Sequence, residues 1–402
     1  MQHQIPLSQL GPHGEGMARA VTTCVHCGFC LAACPTYRVL GEEMDSPRGR
    51  IVLMKQVLEG ELAMDQALPF IDRCLGCLAC ETACPSGVRY RELVVPFRAR
   101  AEDSSRRPRE RSQRRLLLSI LESPDRFRLA LLAGRLARRM RPLIPPSLRP
   151  MLDLLPSHSP APASLRPLTR AIGPRRARVA LLAGCVQRVL RPSINAAAVR
   201  VLAANGIEVA VPRDQGCCGA LARHVGFEAH ADDLAARNAD AFPRDVDAIV
   251  TTAAGCGSAM KEDRYAVPVA DVSEFIDRIG VRAAFSLAQP ATIAYHDACH
   301  LGHAQGVRAA PRRLLAAIQN AIVVELDDNE MCCGSAGLYN IEQPQTAAEL
   351  GRRKAQAIRL TGAQIVATGN IGCMTQIATY LDSSIEVRHT IEILDSALGT
   401  RG

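Results

Sequence analysis

The stretch CVHCGFCLAACP (residues 24–35) places four cysteines within eleven positions and ends the run with a proline, and CLGCLACETACP (residues 74–85) repeats the pattern. Both runs match the spacing CxxCxxCxxxCP, which is typical of domains that hold two [4Fe–4S] clusters. A CxxCxxC loop can wrap a cubane from one side and supply three of its four thiolates. Geometry therefore directs the fourth cysteine of each run to the other cluster.

This rule predicts two ligand sets, one for each cluster. They are Cys24, Cys27, Cys30 and Cys84 for the first cluster, and Cys34, Cys74, Cys77 and Cys80 for the second. Pro35 and Pro85 have no N–H and a fixed φ, so each turns the preceding cysteine out of its own loop. Paired zinc sites are the competing interpretation, but zinc would not explain the third cysteine of each triplet or the CP endings.

Length and composition narrow the class of protein. With 402 residues the chain can form two or three domains with their own cores, so its sixteen cysteines are not needed as disulfide staples. Residues 1–20 contain no apolar run like that of a signal peptide, which predicts a cytoplasmic protein whose clustered thiols bind metals or act as redox groups. No stretch approaches the ~18 consecutive apolar residues that a membrane-spanning helix needs. The lack of Trp argues against a nucleic-acid partner, because proteins that bind single strands stack the bases on aromatic side chains.

Composition also divides the chain into segments. Residues 98–149 hold fifteen Arg against five Asp or Glu, a local balance of +10, and residues 142–176 hold nine of the 25 prolines. Ser46 as N-cap, Pro47 at the first helical position and Gly60 as stop predict a helix between the two cysteine runs. The predicted segments are a two-cluster domain (1–95), a basic helical segment (96–141), a proline-rich linker (142–176) and two repeats (177–288 and 289–402).

The last two segments are copies of one unit. Equivalent cysteines are separated by 114, 115 and 117 residues (Cys185 and Cys299, Cys218 and Cys333, Cys256 and Cys373). Strands alternate with helices in each copy, and the cysteines follow the strands, where parallel sheets bind ligands. We therefore predict an α+β multidomain fold, with an α-helical two-cluster [4Fe–4S] ferredoxin-like domain followed by a duplicated α/β cysteine-rich domain.

Eight further cysteines lie in the two repeats. They are Cys185, Cys217, Cys218 and Cys256 in the first repeat and Cys299, Cys332, Cys333 and Cys373 in the second. The pattern resembles the cysteine-rich CCG domain of heterodisulfide reductases. In the fullest form of that domain the last element is CxxC, whereas Ala259 and Gln376 occupy the matching positions here. The thiols are thus candidates for an additional iron–sulphur centre, for other metal or thiol redox chemistry, or for a structural role.

Two other features have alternative interpretations. His296, His300 and His303 surround Cys299 and could act as ligands or proton donors near a cluster or quinone, but we favour a hydrogen-bonding structural role for them and for Asp297. The basic stretch 106–140 is either a helix pair that lies on anionic lipid or a solvated basic face over the clusters. No GxGxxG or GxxxxGK[ST] motif is present, so no flavin is expected in this chain.

A family resemblance covers residues 20–395. The segments 24–60 and 72–90, the two CCG repeats and GNIGC (369–373) resemble the iron–sulphur subunit of glycolate oxidase. The CCG repeats are shared with lactate-utilisation proteins and with subunits of anaerobic glycerol-3-phosphate dehydrogenase. The resemblance implies FAD-binding partner subunits that oxidise glycolate to glyoxylate, and an acceptor such as quinone at the cytoplasmic face of the membrane.

The implied role is electron transfer, and the substrate-oxidising site would lie outside this chain. A reduced flavin holds two electrons and a cubane accepts one, so two neighbouring clusters suit a stepwise transfer. The alternatives are an iron–sulphur subunit of a related lactate or glycerol-3-phosphate dehydrogenase, and a thiol/disulfide catalyst of the heterodisulfide reductase kind. The cysteine missing from each repeat argues against the catalyst. A zinc-stabilised nucleic-acid-binding protein is a third interpretation, which zinc content and salt-sensitive affinity would test.

Overall fold

Helices build the first part of the chain. The computed structural model describes residues 4–144, 149–153, 155–156, 160–263 and 265–399. The described residues up to 153 form ten α-helices and short 3₁₀ turns. The helices are α1 (Gly14–Thr23), α2 (Phe29–Ala33), α3 (Pro35–Leu40), α4 (Pro47–Leu58), α5 (Met64–Asp72), α6 (Ala79–Thr82), α7 (Arg91–Ser104), α8 (Pro108–Leu121), α9 (Pro124–Arg139) and α10 (Arg149–Asp153).

Helix α4 forms as predicted between the two cysteine runs. The Ser46 hydroxyl accepts a hydrogen bond from the Gly49 N–H at 3.0 Å, and Pro47 occupies the first helical position. The buried side of α4 packs in one apolar core with α1 and α7, through residues such as Met54 and Phe97. Because α7 contributes to this core and runs from Arg91 to Ser104, it continues through the predicted domain boundary at residue 95.

Two mainly parallel sheets follow, and their topologies are equivalent. The first sheet has the order β1-β3-β2-β4-β5, with only β1 antiparallel, and the second has the order β7-β6-β8-β9. Without β1, the two orders correspond strand by strand, which confirms the predicted duplication and fold class. The strands are β1 (Leu168–Thr169), β2 (Ala177–Leu181), β3 (Ile207–Ala210), β4 (Ala248–Thr251), β5 (Val269–Asp271), β6 (Phe285–Tyr295), β7 (Ile318–Glu325), β8 (Ile365–Thr368) and β9 (Glu386–His389).

The two repeats share one apolar core. Buried residues from both sheets, such as Val179 and Ile293, belong to a single packed cluster. The Ala254 N–H donates to the Gly369 carbonyl at 3.1 Å across the repeats. The repeats therefore pack as one unit. Their helices are α11 (Val186–Leu190), α12 (Ser193–Ala204), α13 (Ala220–His224), α14 (Glu228–Ala241), α15 (Ala254–Glu262), α16 (Val272–Ile279), α17 (Cys299–Gly302), α18 (Ala309–Ala316), α19 (Tyr339–Glu342), α20 (Pro344–Leu360), α21 (Ile371–Tyr380) and α22 (Thr390–Ser396).

The basic segment contains α8 and α9, and part of its charge is buried. Arg106 and Arg114 both pair with Glu102, whose side chain is fully buried, at 3.0 and 2.9 Å. Arg114 also pairs with Glu342 of the second repeat at 2.7 Å. These arginines thus join helices instead of forming a solvated face. The predicted linker 142–176 lies partly outside the described residues. None of the helices formed by the described ranges is long and apolar enough to cross a membrane.

Candidate metal centres

The four cysteines predicted to hold the first cluster line one small cavity. Cys24, Cys27, Cys30 and Cys84 surround about 30 Å³, and Cys80 also reaches this cavity. Burial raises the pKa of the Cys30 thiol to about 11, and the neighbouring Cys24 adds to the rise. Thiols with such pKa values stay protonated at neutral pH unless a metal displaces the proton. Cys27 is exposed, so this site opens to the protein surface.

The second predicted set lies deeper in the protein. Cys34, Cys74 and Cys77 are buried, and the thiol of Cys80 interacts electrostatically with all three. The chain therefore brings Cys34 from the first run to the triplet of the second run. Burial raises the pKa of the Cys77 and Cys80 thiols well above their ordinary values.

Two buried arginines border this second set. Arg50 points an Nη1 atom at the Cys34 Sγ atom, 3.8 Å away, and Arg98 donates to the Cys74 carbonyl. Burial by itself would raise the pKa of Cys74, but the charges of Arg50 and Arg98, together with hydrogen bonds from the Gly76 N–H and the Tyr90 hydroxyl, leave that pKa below its ordinary value. The sequence did not predict that either arginine belongs to the site. Their positive charge fits a centre whose thiolate ligands make it anionic.

The second set lies directly against the second cysteine-rich repeat. Cys77 belongs to one buried cluster with Cys299 and Cys332. The Tyr339 hydroxyl donates to the Arg73 carbonyl at 3.1 Å and strengthens this interface. Cysteines that lie more than 200 residues apart in the sequence thus share one dry interior region.

The cysteines of each repeat form a chain of neighbouring thiols. They all follow the carboxyl ends of the parallel strands, as predicted from the sequence. The Sγ atoms of Cys185 and Cys217 lie 3.4 Å apart, and Cys217 in turn contacts Cys218, which contacts Cys256. The second repeat has the same order of contacts, from Cys299 through Cys332 and Cys333 to Cys373.

The residues at the positions of the missing fifth cysteines cannot replace them as ligands. Ala259 has no donor atom, and Gln376 has both ends of its amide engaged. The Gln376 Nε2 atom donates to the Ala347 carbonyl at 2.8 Å, and its oxygen accepts a hydrogen bond from Asn340. Each repeat therefore has four thiols, and its fifth position has no free donor.

The residues around Cys299 have different environments. His303 lies 2.9 Å from the Thr82 hydroxyl and 3.3 Å from the Glu330 carbonyl, and Asp297 accepts two hydrogen bonds from Arg312. Burial lowers the pKa of His300 to about 4. His296 is buried beside Cys333 and Cys373. His303 and Asp297 therefore have hydrogen-bonding environments, whereas His296 faces thiols.

A large cavity lies between the two repeats, the basic helices and the first domain. Its volume is about 470 Å³, and the four thiols of the first repeat and Cys299 line it. Helix α9 closes one side with Phe127, Ala130 and Leu131, and α8 adds Leu117 and Ile120. The sequence did not predict this cavity, because its walls come from segments that are distant along the chain.

Comparisons with known proteins agree with this architecture. Residues 20–88 match the 4Fe-4S dicluster domain family, and residues 179–261 and 293–378 match the cysteine-rich domain family. A crystal structure of a hypothetical protein from Helicobacter pylori has a TM-score of 0.50 and 10% identity, covers 88% of this chain and 67% of its own, and shows the fold alone.

Two curated relatives cover almost the whole chain. The glycolate oxidase iron-sulfur subunit of Escherichia coli (strain K12) is 37% identical in an alignment 394 positions long, which covers 93% of this chain and 93% of the relative. The probable glycolate oxidase iron-sulfur subunit of Bacillus subtilis (strain 168) is 32% identical over 417 residues, with 94% of each chain covered. These relatives confirm the predicted resemblance, and the chain belongs to the family of glycolate oxidase iron–sulphur subunits.

Proposed function

We propose that this chain is the electron-transfer subunit of a glycolate oxidase complex and passes electrons from FAD-binding partner subunits to a quinone. The observation that supports this most directly is the buried contact between Cys77 of the first domain and Cys299 and Cys332 of the second repeat. This contact joins one cysteine of the proposed second cluster to two cysteines of the second repeat. Iron–sulphur clusters, when bound, accept and release single electrons, whereas a reduced flavin holds two.

The chain's own residues would hold two [4Fe–4S] clusters. The proposed ligand sets are Cys24, Cys27, Cys30 and Cys84 for the first cluster, and Cys34, Cys74, Cys77 and Cys80 for the second. Their chemistry fits, because each set consists of soft thiols that the fold brings into one group. Arg50 and Arg98 would offset the negative charge of the second group, and burial would exclude water from it.

The proposed entry point for electrons lies at the first cysteine set. Cys27 is exposed there, and the side chains of Val25 and Phe29 beside it are 67% and 68% exposed. Apolar side chains exposed next to a redox site suit contact with a partner protein. We therefore assign this surface to the FAD-binding subunit.

The proposed acceptor side lies at the large cavity and helix α9. The inner face of α9 lines the cavity, while Leu129, Leu132 and Leu136 on its outer face are 60–68% exposed. Arginines flank these leucines, a combination that suits an anionic lipid surface. A protein resting peripherally on the cytoplasmic face of the membrane in this orientation would hold this apolar cavity close to membrane quinone.

The test is reduction by glycolate in the assembled complex. We expect about eight irons per chain bound in the first domain after anaerobic purification, and cluster EPR signals that appear when glycolate is added. The double change Val25→Ser and Phe29→Ser should slow this reduction without changing the iron content. Leu360→Ser is the matched control, because Leu360 is 73% exposed on α20. Reduction of the partner's flavin by glycolate without any cluster signal would overturn the proposal.

A further inference from the structure

The second cysteine-rich repeat has a buried histidine, His296, three residues before its first cysteine, where the first repeat has Leu182. We propose that His296 is a metal ligand, which binds a thiophilic metal together with Cys333 and Cys373 and supplies the donor that this repeat lacks at Gln376. The site concerns the second repeat and not the eight cysteines of the first domain. It can therefore be tested separately from the electron-transfer function.

The geometry places the three donors around one point. A ring nitrogen of His296 and the Sγ atoms of Cys333 and Cys373 all lie within 4.8 Å of one another, and all three residues are about 1% exposed. Ligands of a tetrahedral metal lie about 3.3–3.8 Å apart when metal–ligand distances are about 2.0–2.3 Å. Small side-chain adjustments would thus bring these donors onto one metal atom.

Within the part of the chain that the structure describes, the imidazole also lacks a hydrogen-bond partner. Neither ring nitrogen of His296 has a hydrogen-bond partner among the described residues, although both are buried. A buried polar group without a partner destabilises the folded state. Since Gln376 is held by Ala347 and Asn340, it does not compete for the same position. A metal would use the free nitrogen donor and remove this penalty.

The first repeat provides an internal comparison. His296 precedes Cys299 by three positions, and Leu182 precedes Cys185 by the same number, so an apolar side chain stands where the second repeat has an imidazole. Lys354 of the second repeat is 3% exposed, donates to the Asp328 and Asn329 carbonyls, and lies close enough to Cys333 for their charges to interact. Within the described ranges, the second repeat thus combines an imidazole beside two thiols with a buried cation that can offset thiolate charge.

The donor set defines the class of metal. Imidazole and thiolate together suit zinc or an iron atom of an iron–sulphur centre, and they do not suit magnesium or calcium. Binding would release protons from the two thiols, with no change of oxidation state. Whether the metal is zinc or iron, His296 contributes one nitrogen to one metal atom.

The experiment compares variants of the full chain that is purified anaerobically. We expect His296→Ala to lose about one zinc per chain, or to lose the histidine-nitrogen coupling from the pulsed EPR spectrum of an iron centre beyond those of the first domain. His296→Cys should keep the metal and replace the nitrogen signature by a sulphur ligand in X-ray absorption. His303→Ala is the matched control, because His303 already has hydrogen-bond partners.

Two outcomes would overturn the inference. One is unchanged metal content and unchanged nitrogen coupling in His296→Ala. The other is a wild-type chain with no metal beyond that of the first domain. If His296→Ala does not fold, His296→Cys decides, because a ligand role requires metal retention with a new sulphur ligand. Glycolate-dependent signals from the first domain are measured separately, so failure here is distinguishable from failure of the proposed function.

Discussion

A single glycine in each CCG motif determines how closely a helix can approach the two adjacent cysteines of that motif. Gly219 and Gly334 follow these pairs with φ values of +81° and +94°, which other residues adopt only with strain. A Cβ atom on Gly219 would lie 2.8 Å from the Ala231 carbonyl oxygen, and one on Gly334 would lie 2.7 Å from that of Ala347. The glycine of each CCG motif thus allows a helix backbone to pack against the thiols.

We expect Gly334→Ala to destabilise the protein by more than the usual penalty for positive φ. That penalty is about 1–2 kcal/mol, and displacement of α20 would add to it. Gly362→Ala is the matched control, because Gly362 has a φ of +66° and no atom within 4 Å of its would-be Cβ. Thermal unfolding should show the larger loss for Gly334→Ala. Equal losses would mean that close packing at the CCG glycine contributes nothing.

At the scale of the element, the junction of β5 and α16 contains a buried acid. Burial raises the pKa of Asp271 to about 6, although Ser273 donates hydrogen bonds to this carboxyl group. The unfolded value is about 3.9, so the folded state keeps the proton to higher pH. The associated stability is fully present below about pH 4 and is lost as pH rises through about 6.

Asp271→Asn should remove this pH dependence. The amide keeps an acceptor for the Ser273 N–H but does not ionise, so the variant should gain up to about 2–3 kcal/mol over wild type between pH 4 and pH 8. Chemical unfolding measured across this range tests the expectation. Parallel pH profiles of the two proteins would show that the carboxyl group has no raised pKa in the folded state.

The outer face of α9 exposes the apolar side chains of Leu132 and Leu136. We expect the double change Leu132→Ser and Leu136→Ser to weaken binding to vesicles that contain phosphatidylglycerol by about tenfold or more, since each inserted leucine contributes about 1.5–3 kcal/mol when fully buried. The thermal midpoint should not change, because both side chains are at least 60% exposed. Co-sedimentation measures the binding, with Leu360→Ser as the control. Equal binding by the double variant and by Leu360→Ser would contradict a membrane role for α9.

At the scale of the whole molecule, Arg114 joins the basic helices to the second repeat. It contacts Glu102, which is fully buried, and Glu342 on α19. Arg114→Met would leave Glu102 with Arg106 as its remaining ion-pair partner and would leave Glu342 without Arg114. We expect a loss of about 3–5 kcal/mol, the usual effect of breaking a buried ion pair.

The control for this prediction lies one turn away on the same helix. Arg111 pairs with Asp103, whose side chain is 72% exposed, so Arg111→Met should lose about 1 kcal/mol or less. Thermal unfolding of the two variants tests the difference. A similar loss in both would mean that the contact of Arg114 with the second repeat does not hold the domains together.

The features that the sequence predicted correctly depend on residues that lie close together along the chain. The caps of α4 and the alternation of strands and helices in the repeats depend on residues close together along the chain. The CxxCxxCxxxCP spacing likewise encodes a loop geometry within a dozen residues, and it predicted the two-cluster domain. The cysteine offsets revealed the duplication because each repeat folds by the same local rules.

Short-range spacing thus encodes the two kinds of domain, their order and the duplication. The groups that meet across long distances follow instead from the tertiary structure. It placed Arg50 and Arg98 at the second cysteine set, and it brought Cys77 against Cys299. It also gave His296 a dry position beside two thiols while leaving His303 in ordinary hydrogen bonds. The physical reason is that burial and charge at a site depend on packing between segments, which no local pattern of residues encodes.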